Sequence, residues 1–317
     1  MLSRTADHLF WMSRYIERAE NLARLLDVTW QMSLVPQPLE VANQNWKAII
    51  ALNSLEAAFE KKYATVNAEN VLRFMVSDTD NFASIHSCLR MARENAHAVR
   101  GTVTAEMWET LNSTWLDARE KTFEQLYNAG IADYFEWVKM RSSLSRGTTL
   151  GTLLQDDSYH FIRLGTLLER ADNTARILDV KYHVLRPHGE EEGATDFYQW
   201  GALLRSVSAF EVYRKAYRDV ITPERVAELL ILRSDMPRSL HFCMNGVIKT
   251  LDLLANALSH ETQRQAGMLH ALLHYARVED ILEHGLHEWL TDFMDRIYLL
   301  GNGISRDFLM PMVEESA

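Results

Sequence analysis

The chain has 317 residues, enough for one large domain or two of ordinary size. Apolar residues make up 47% and charged residues 24%, and only 13 Gly and 6 Pro interrupt a sequence rich in Leu, Ala, Glu, Arg and Met, which favours helices over strands. A formal net charge of -10 removes the basic face that a phosphate backbone or an anionic membrane surface would require, so neither nucleic acid nor membrane is an expected partner.

In chain order, the opening MLSRTADHLFWMSRYIER has a short apolar run followed by charges, which makes a poor signal peptide. The first long helical pattern ends at Pro36 and Pro38. Apolar residues then recur at three- and four-residue spacing over 41–63, 68–77, 82–100, 104–128 and 130–146. The same period runs through 158–185, 196–218, 223–232, 238–258, 261–275 and 278–300, with Pro187, Pro223, Pro237 and Pro311 at boundaries. Residues 186–195, RPHGEEEGAT, read as a loop, and no alternating segment is long enough for a sheet. No stretch reaches the roughly 18 apolar residues of a membrane span. Two cysteines, Cys88 and Cys243, are too few for a disulfide framework, so a cytoplasmic location is expected.

Two segments repeat. Residues 17–28 read ERAENLARLLDV and 169–180 read ERADNTARILDV, identical at nine of twelve positions where chance gives about one. His8 matches His160, Trp46 matches Trp200, Ser84-Ile85-His86-Ser87-Cys88 matches Ser239-Leu240-His241-Phe242-Cys243, and Gly130 with Arg141 matches Gly285 with Arg296. The order is kept and the offset drifts only from 152 to 155. The expected fold is therefore all-α: a helical bundle from tandem duplication of one multi-helix unit, with units 1–150 and 151–317 packed about a pseudo-twofold axis as one globular body.

At 100° per residue, Glu17, Asn21, Arg24 and Val28 form one stripe of a helix, and Glu169, Asn173, Arg176 and Val180 form its counterpart. Between the copies large apolar positions have changed (Met12 to Leu164, Tyr15 to Leu167, Leu22 to Thr174), whereas the polar stripe has not. A solvated stripe would drift first, because surface changes cost little. Two readings stay open: a buried Glu-Arg-Asn network that sets helix register, or a ligand or catalytic pocket built from both copies. Arg18 and Arg170 point about 100° off the stripe and so serve partners other than the adjacent Glu. One arrangement has each Glu meeting an Arg of the other copy, Glu17 with Arg176 being one such pair. Ala19 with Ala23 and Ala171 with Ala175 would let the two helices approach closely.

The segments WMSRYIERAENLARLLDV, ARENAHAVR, WGALLRSVSAFEVYR, DMPRSLHFC and LLERADNTARILDVKY together resemble the alpha-E family, a bacterial all-helical family named for a Glu-Arg motif, across nearly the whole chain. The motif falls on Glu17-Arg18 and Glu169-Arg170, and Phe82-Ala83 stands where a Pro-containing segment is expected. The resemblance implies no settled activity. It implies genes beside, or fused to, a circularly permuted ATP-grasp protein and a transglutaminase-like peptidase, and hence a role in an ATP-dependent amide- or peptide-forming system.

The expected function is a non-catalytic partner of such a ligase. The alternatives are an enzyme and a purely structural helical scaffold. In the enzyme, Glu17 and Glu169 would be acid or base, and Arg18, Asn21, Arg24, Arg170, Asn173 and Arg176 would bind a carboxylate or phosphate of a small peptide. No cofactor and no metal is expected. Gly301-Asn302-Gly303 lacks the features of a phosphate loop, His86/Cys88 and His241/Cys243 have poor chelating spacing on a helix, and His270 with His274 reads as a polar helix face. Asp235 or Ser239 is expected to act as a helix cap.

Overall fold

The structure, a computed structural model, describes residues 1–185 and 194–309, and the side chains of all of these but 181–185 and 194–197. Among the described residues there are fifteen α-helices and no strand. In the first half these are α1 (Ser3–Ser33), α2 (Leu39–Leu52), α3 (Glu56–Glu60), α4 (Ala68–Val76), α5 (Ile85–Ala98), α6 (Ala105–Arg119) and α7 (Phe123–Thr152). Then come α8 (Asp157–Leu185), α9 (Ala194–Ser206), α10 (Phe210–Tyr217), α11 (Pro223–Ala227), α12 (Leu240–Leu253), α13 (His260–Tyr275), α14 (Val278–His284) and α15 (Leu286–Phe308). A π-helical turn, Glu228–Leu232, follows α11 directly.

Local chemistry sets the boundaries. Ser84 and Ser239 each accept the backbone N–H three residues on, at 3.1 and 3.0 Å, and so start α5 and α12. Thr122 and Gln125 form a reciprocal capping box that starts α7, so the period seen over 104–128 is two helices. The pattern over 41–63 breaks at Ser54 and that over 196–218 at Ser208, both with positive φ, 54° and 56°. Gly130 inside α7 and Gly285 between α14 and α15 have φ of 108° and 104°, a region a side chain disfavours. Each bends the helical path there. Pro187, Pro311 and residues 186–193 of the expected loop lie outside the described residues, and Ala194 already belongs to α9.

Buried apolar residues from Ala6 to Leu309 form one contiguous core. Its centre is the α1–α8 pair, the most extensive helix contact among the described residues. Around it α1 packs with α5 and α7, and α6 bridges those two; α8 packs with α12 and α15, and α13 bridges those. The second helices cross over: α2 touches α8, and α9 touches α1. Ala19, Ala23, Ala171 and Ala175 are all buried in this centre. The tightest approach is at Gly165, where a Cβ would overlap both Ser13 Oγ and the Phe10 carbonyl. That contact brings the two Glu-Arg segments together.

Candidate functional site

Because Arg18 projects about 100° round α1 from Glu17, and Arg170 likewise round α8 from Glu169, each Arg reaches across the crossing to the opposite helix. Arg170 donates to Glu17 Oε1 at 2.9 Å and Oε2 at 3.0 Å. Arg18 donates to Glu169 Oε1 at 2.6 Å and Oε2 at 3.0 Å. Both are two-pronged guanidinium–carboxylate pairs, and the exchange is reciprocal. It is Arg170, not Arg176, that meets Glu17. Arg176 lies past the crossing and holds Asp172 on its own helix at 2.9 Å, as Arg24 holds Glu20 at 2.8 Å. The expected Glu17–Arg176 pair is therefore corrected.

Further groups converge on Glu17. Arg238 Nη1 donates to Glu17 Oε1 at 3.0 Å and to Asn21 Oδ1 at 2.7 Å, and its Nη2 donates to Glu20 Oε1 at 2.9 Å. Arg146 pairs with Glu20 Oε2 and reaches Glu17 Oε2 at 3.4 Å, while the Ser142 hydroxyl donates to Glu20 Oε2 at 2.6 Å. On the other side Arg14 donates to Glu169 Oε2 at 2.7 Å. Glu17, Glu20 and Glu169 are 1%, 0% and 5% exposed, so these contacts replace water almost completely.

Burial by itself would raise the three carboxyl pKa values. Arg170 and Arg238 overcome it at Glu17, Arg238 and Arg146 at Glu20, and all three groups stay ionised well below the usual carboxylate range. Glu169 is pulled down to about 2 against its own burial by Arg14 and Arg18. A carboxylate so held neither gives a proton near neutral pH nor takes one readily. Cys88 and Cys243 are no substitute: burial pushes both thiols up to about 12. They do not join the histidines as a four-ligand set, and among the described residues no metal-ligating cluster includes a cysteine.

The two sides of the crossing differ at several positions, Glu20 against Asp172 and Ser13 against Gly165 among them, and a further one decides how much space is left over each glutamate. Arg238 stands immediately before the cap Ser239, and Ala83 immediately before the cap Ser84. Arg238 fills the space over Glu17, Glu20 and Asn21. Over Glu169, where Ala83 has no such side chain, a cavity of about 310 Å³ opens, lined by Arg18, Ala83, Glu169, Asp172, Asn173 and Arg176 among others. Asn173 Nδ2 is buried there without a hydrogen-bond partner, as Asn21 Nδ2 is on the sealed side. Among its lining residues two cations, Arg18 and Arg176, are paired with two anions, Glu169 and Asp172. The cavity therefore offers the N–H donors of two charge-balanced ion pairs and of the unpartnered Asn173 amide. A second cavity of about 240 Å³, mostly apolar, lies beyond Glu17 between Arg146, Arg163 and Arg170.

Of the residues singled out from sequence, Glu17, Arg18, Glu169 and Arg170 come together at the crossing, and Asn21 joins through Arg238. Arg24 joins the network through Glu20, while Arg176 pairs with Asp172 and, with Asn173, lines the cavity. Sequence reasoning missed Arg14, Glu20, Arg146 and Arg238 as members. Arg238 had a usable signal, since it sits within DMPRSLHFC beside a cap; Arg14 and Arg146 had none.

The curated relatives it matches include uncharacterised proteins of Mycobacterium tuberculosis and Mycobacterium bovis, each 22% identical over 93% of this chain but only 35% of the relative. The chain thus spans about a third of the length of those relatives. No solved structure matches it. The model of the Alpha-E family, described as a predicted alpha-helical domain with a conserved ER motif, matches residues 1–309. The chain belongs to the Alpha-E family.

Proposed function

We propose that this chain is a non-catalytic binding component of an ATP-dependent amide- or peptide-forming system, working with an ATP-grasp-type ligase and a transglutaminase-like protein. The observation that carries the non-catalytic part is the pairing of both motif glutamates, nearly buried and ionised, with reciprocal Arg partners. Such pairs hold two helices in register but do not move protons. The partner role comes from the family's implied association with ligases. It is supported by the curated relatives, in which the matching segment is only 35% of a longer polypeptide.

The same contacts support a tandem duplication with a pseudo-twofold axis through the α1–α8 crossing. A twofold requires that if residue i meets j, then the equivalent of j meets the equivalent of i. Glu17–Arg170 and Arg18–Glu169 obey this, as do the α2–α8 and α1–α9 contacts and the matched backbone at Gly130 and Gly285. The duplication has then been broken at Ala83. The open side is suited to the carboxylate of a peptide-like ligand, received by Arg18, Asn173 and Arg176.

The test compares ATP-dependent amide formation by the ligase alone, with this chain, and with Arg176→Met. The expected outcome is stimulation by the parent and loss of stimulation by Arg176→Met, with the ligase and chain co-eluting on sizing. Separate elution and an unchanged rate would sink the proposal.

A further inference from the structure

Outside the Glu-Arg network, one cluster has the chemistry of a metal site. His241 lies in the first turn of α12, and His270 and His274 stand one turn apart on α13. One ring nitrogen from each lies within 4.8 Å of the other two, and the three ring centroids are 5.6 to 5.7 Å apart.

The protonation pattern suits ligation. His241 Nδ1 lies 2.8 Å from the carbonyl oxygen of Leu232, the last residue of the π-helical turn. A carbonyl only accepts, so Nδ1 carries the proton and Nε2 keeps its lone pair. His241 is 7% exposed, and its Nε2 is buried with no hydrogen-bond partner. A backbone carbonyl on one imidazole nitrogen and a free lone pair on the other is how proteins orient a metal-binding histidine. His270 has a comparable support, Nε2 at 3.2 Å from Oδ1 of Asn245, one turn beyond His241 on α12. His274 is exposed and leaves one side of the cluster open to solvent.

The first half of the chain supplies a comparison. His86 stands at the position equivalent to His241, but Trp115 and Arg119 stand where His270 and His274 would be, and the His86 ring packs on Trp115 with centroids 4.7 Å apart. The same helix pair therefore exists once with three imidazoles and once with one.

We propose that His241, His270 and His274 bind one divalent transition-metal ion of the zinc type, with three imidazole ligands and a fourth position open to solvent. Three neutral nitrogens and no carboxylate suit zinc, cobalt, nickel or copper and are poor ligands for magnesium or calcium. Metal–nitrogen bonds of about 2.0 Å place ligand nitrogens about 3.3 Å apart, so the rings close inward on binding. The open position is available to water or to an acidic group of a ligand.

The test titrates the chelator-treated 317-residue chain with Co2+, read by its visible absorption and by calorimetry, followed by displacement with Zn2+. His274→Ala, His270→Gln and His86→Ala are run beside the parent, with circular dichroism to verify helix content. The expected result is one equivalent bound, an affinity at least about tenfold weaker in His274→Ala and His270→Gln, and no change in His86→Ala. Because His274 is exposed, its variant reports on ligation even if His270→Gln folds poorly. Absence of saturable binding, binding indifferent to His274→Ala, or an equal loss in His86→Ala would overturn the proposal.

Discussion

At the residue scale, the motif glutamates behave as structural anions. Removing one charge leaves its guanidinium partners buried and uncompensated, which costs about 3–5 kcal/mol. We therefore expect Glu17→Gln to destabilise the fold by that amount in denaturant unfolding. Glu17→Gln and Arg170→Met should be strongly non-additive, whereas Glu17→Gln and Arg176→Met should add, because Arg176 bonds to Asp172. Additivity in the first pair would remove the basis for the reciprocal exchange. Acid should act through the same groups. Glu169 has its pKa lowered from 4.5 to about 2 in the folded chain, so the unfolded chain takes up the proton first. Its contribution is complete above about pH 4.5 and fades as the pH falls towards 2; Glu17 and Glu20 shift in the same direction. Thermal midpoints measured across that window should fall in the parent and fall less steeply in Glu169→Gln. A parallel fall in both would show that the loss comes from other carboxylates.

At the element scale, the α1–α8 crossing depends on one missing side chain. A Cβ at Gly165 would meet the Phe10 carbonyl and Ser13, and backbone cannot step aside as a side chain can. Gly165→Ala should cost at least about 1–3 kcal/mol, the range for overpacking. Gly147→Ala is the control: it lies in α7 with nothing near its added methyl, and should stabilise by about 0.5–1 kcal/mol through helix propensity. Equal effects in the two variants would mean that the helices do not meet as described. Much of this was legible in the sequence. The period of apolar residues locates most helices, and the repeated polar stripe locates the crossing, since both are local patterns. The stripe's angular geometry also implies that Arg18 and Arg170 serve partners other than their neighbours. What it does not contain is the distance along the partner helix, so the stripe alone points Glu17 to Arg176 where the structure brings Arg170. Arg146 and Arg238 reach the network through tertiary packing of α7 and α12, which no spacing in α1 or α8 encodes. His241, His270 and His274 are likewise brought together only by the packing of α12 against α13.

For the whole molecule, the crossed contacts bear on whether either half can stand alone. Residues 1–150 carry one side of the crossing: Phe10, Ala19 and Ala23 buried, and Glu17 charged at 1% exposure. Without residues 151–317 these lose Arg170, Arg238 and the apolar cover of α8. Two copies of 1–150 could offer each other Arg18 for Glu17 about a true twofold. They would, however, place Ser13 where Gly165 must be, and the helices would meet at a side chain instead of at backbone. The fragment is thus expected neither to fold alone nor to dimerise in the native manner, while an equimolar mixture of 1–150 and 151–317 should recover helix content. The intact chain should unfold in one transition, with calorimetric and van't Hoff enthalpies equal, because the core and the buried ion pairs span both halves. Two resolved transitions, or a fragment 1–150 that melts sharply as a monomer at the temperature of the full chain, would mean that the halves are independent. In that case the Glu-Arg exchange would be a contact between finished domains and not the centre of one.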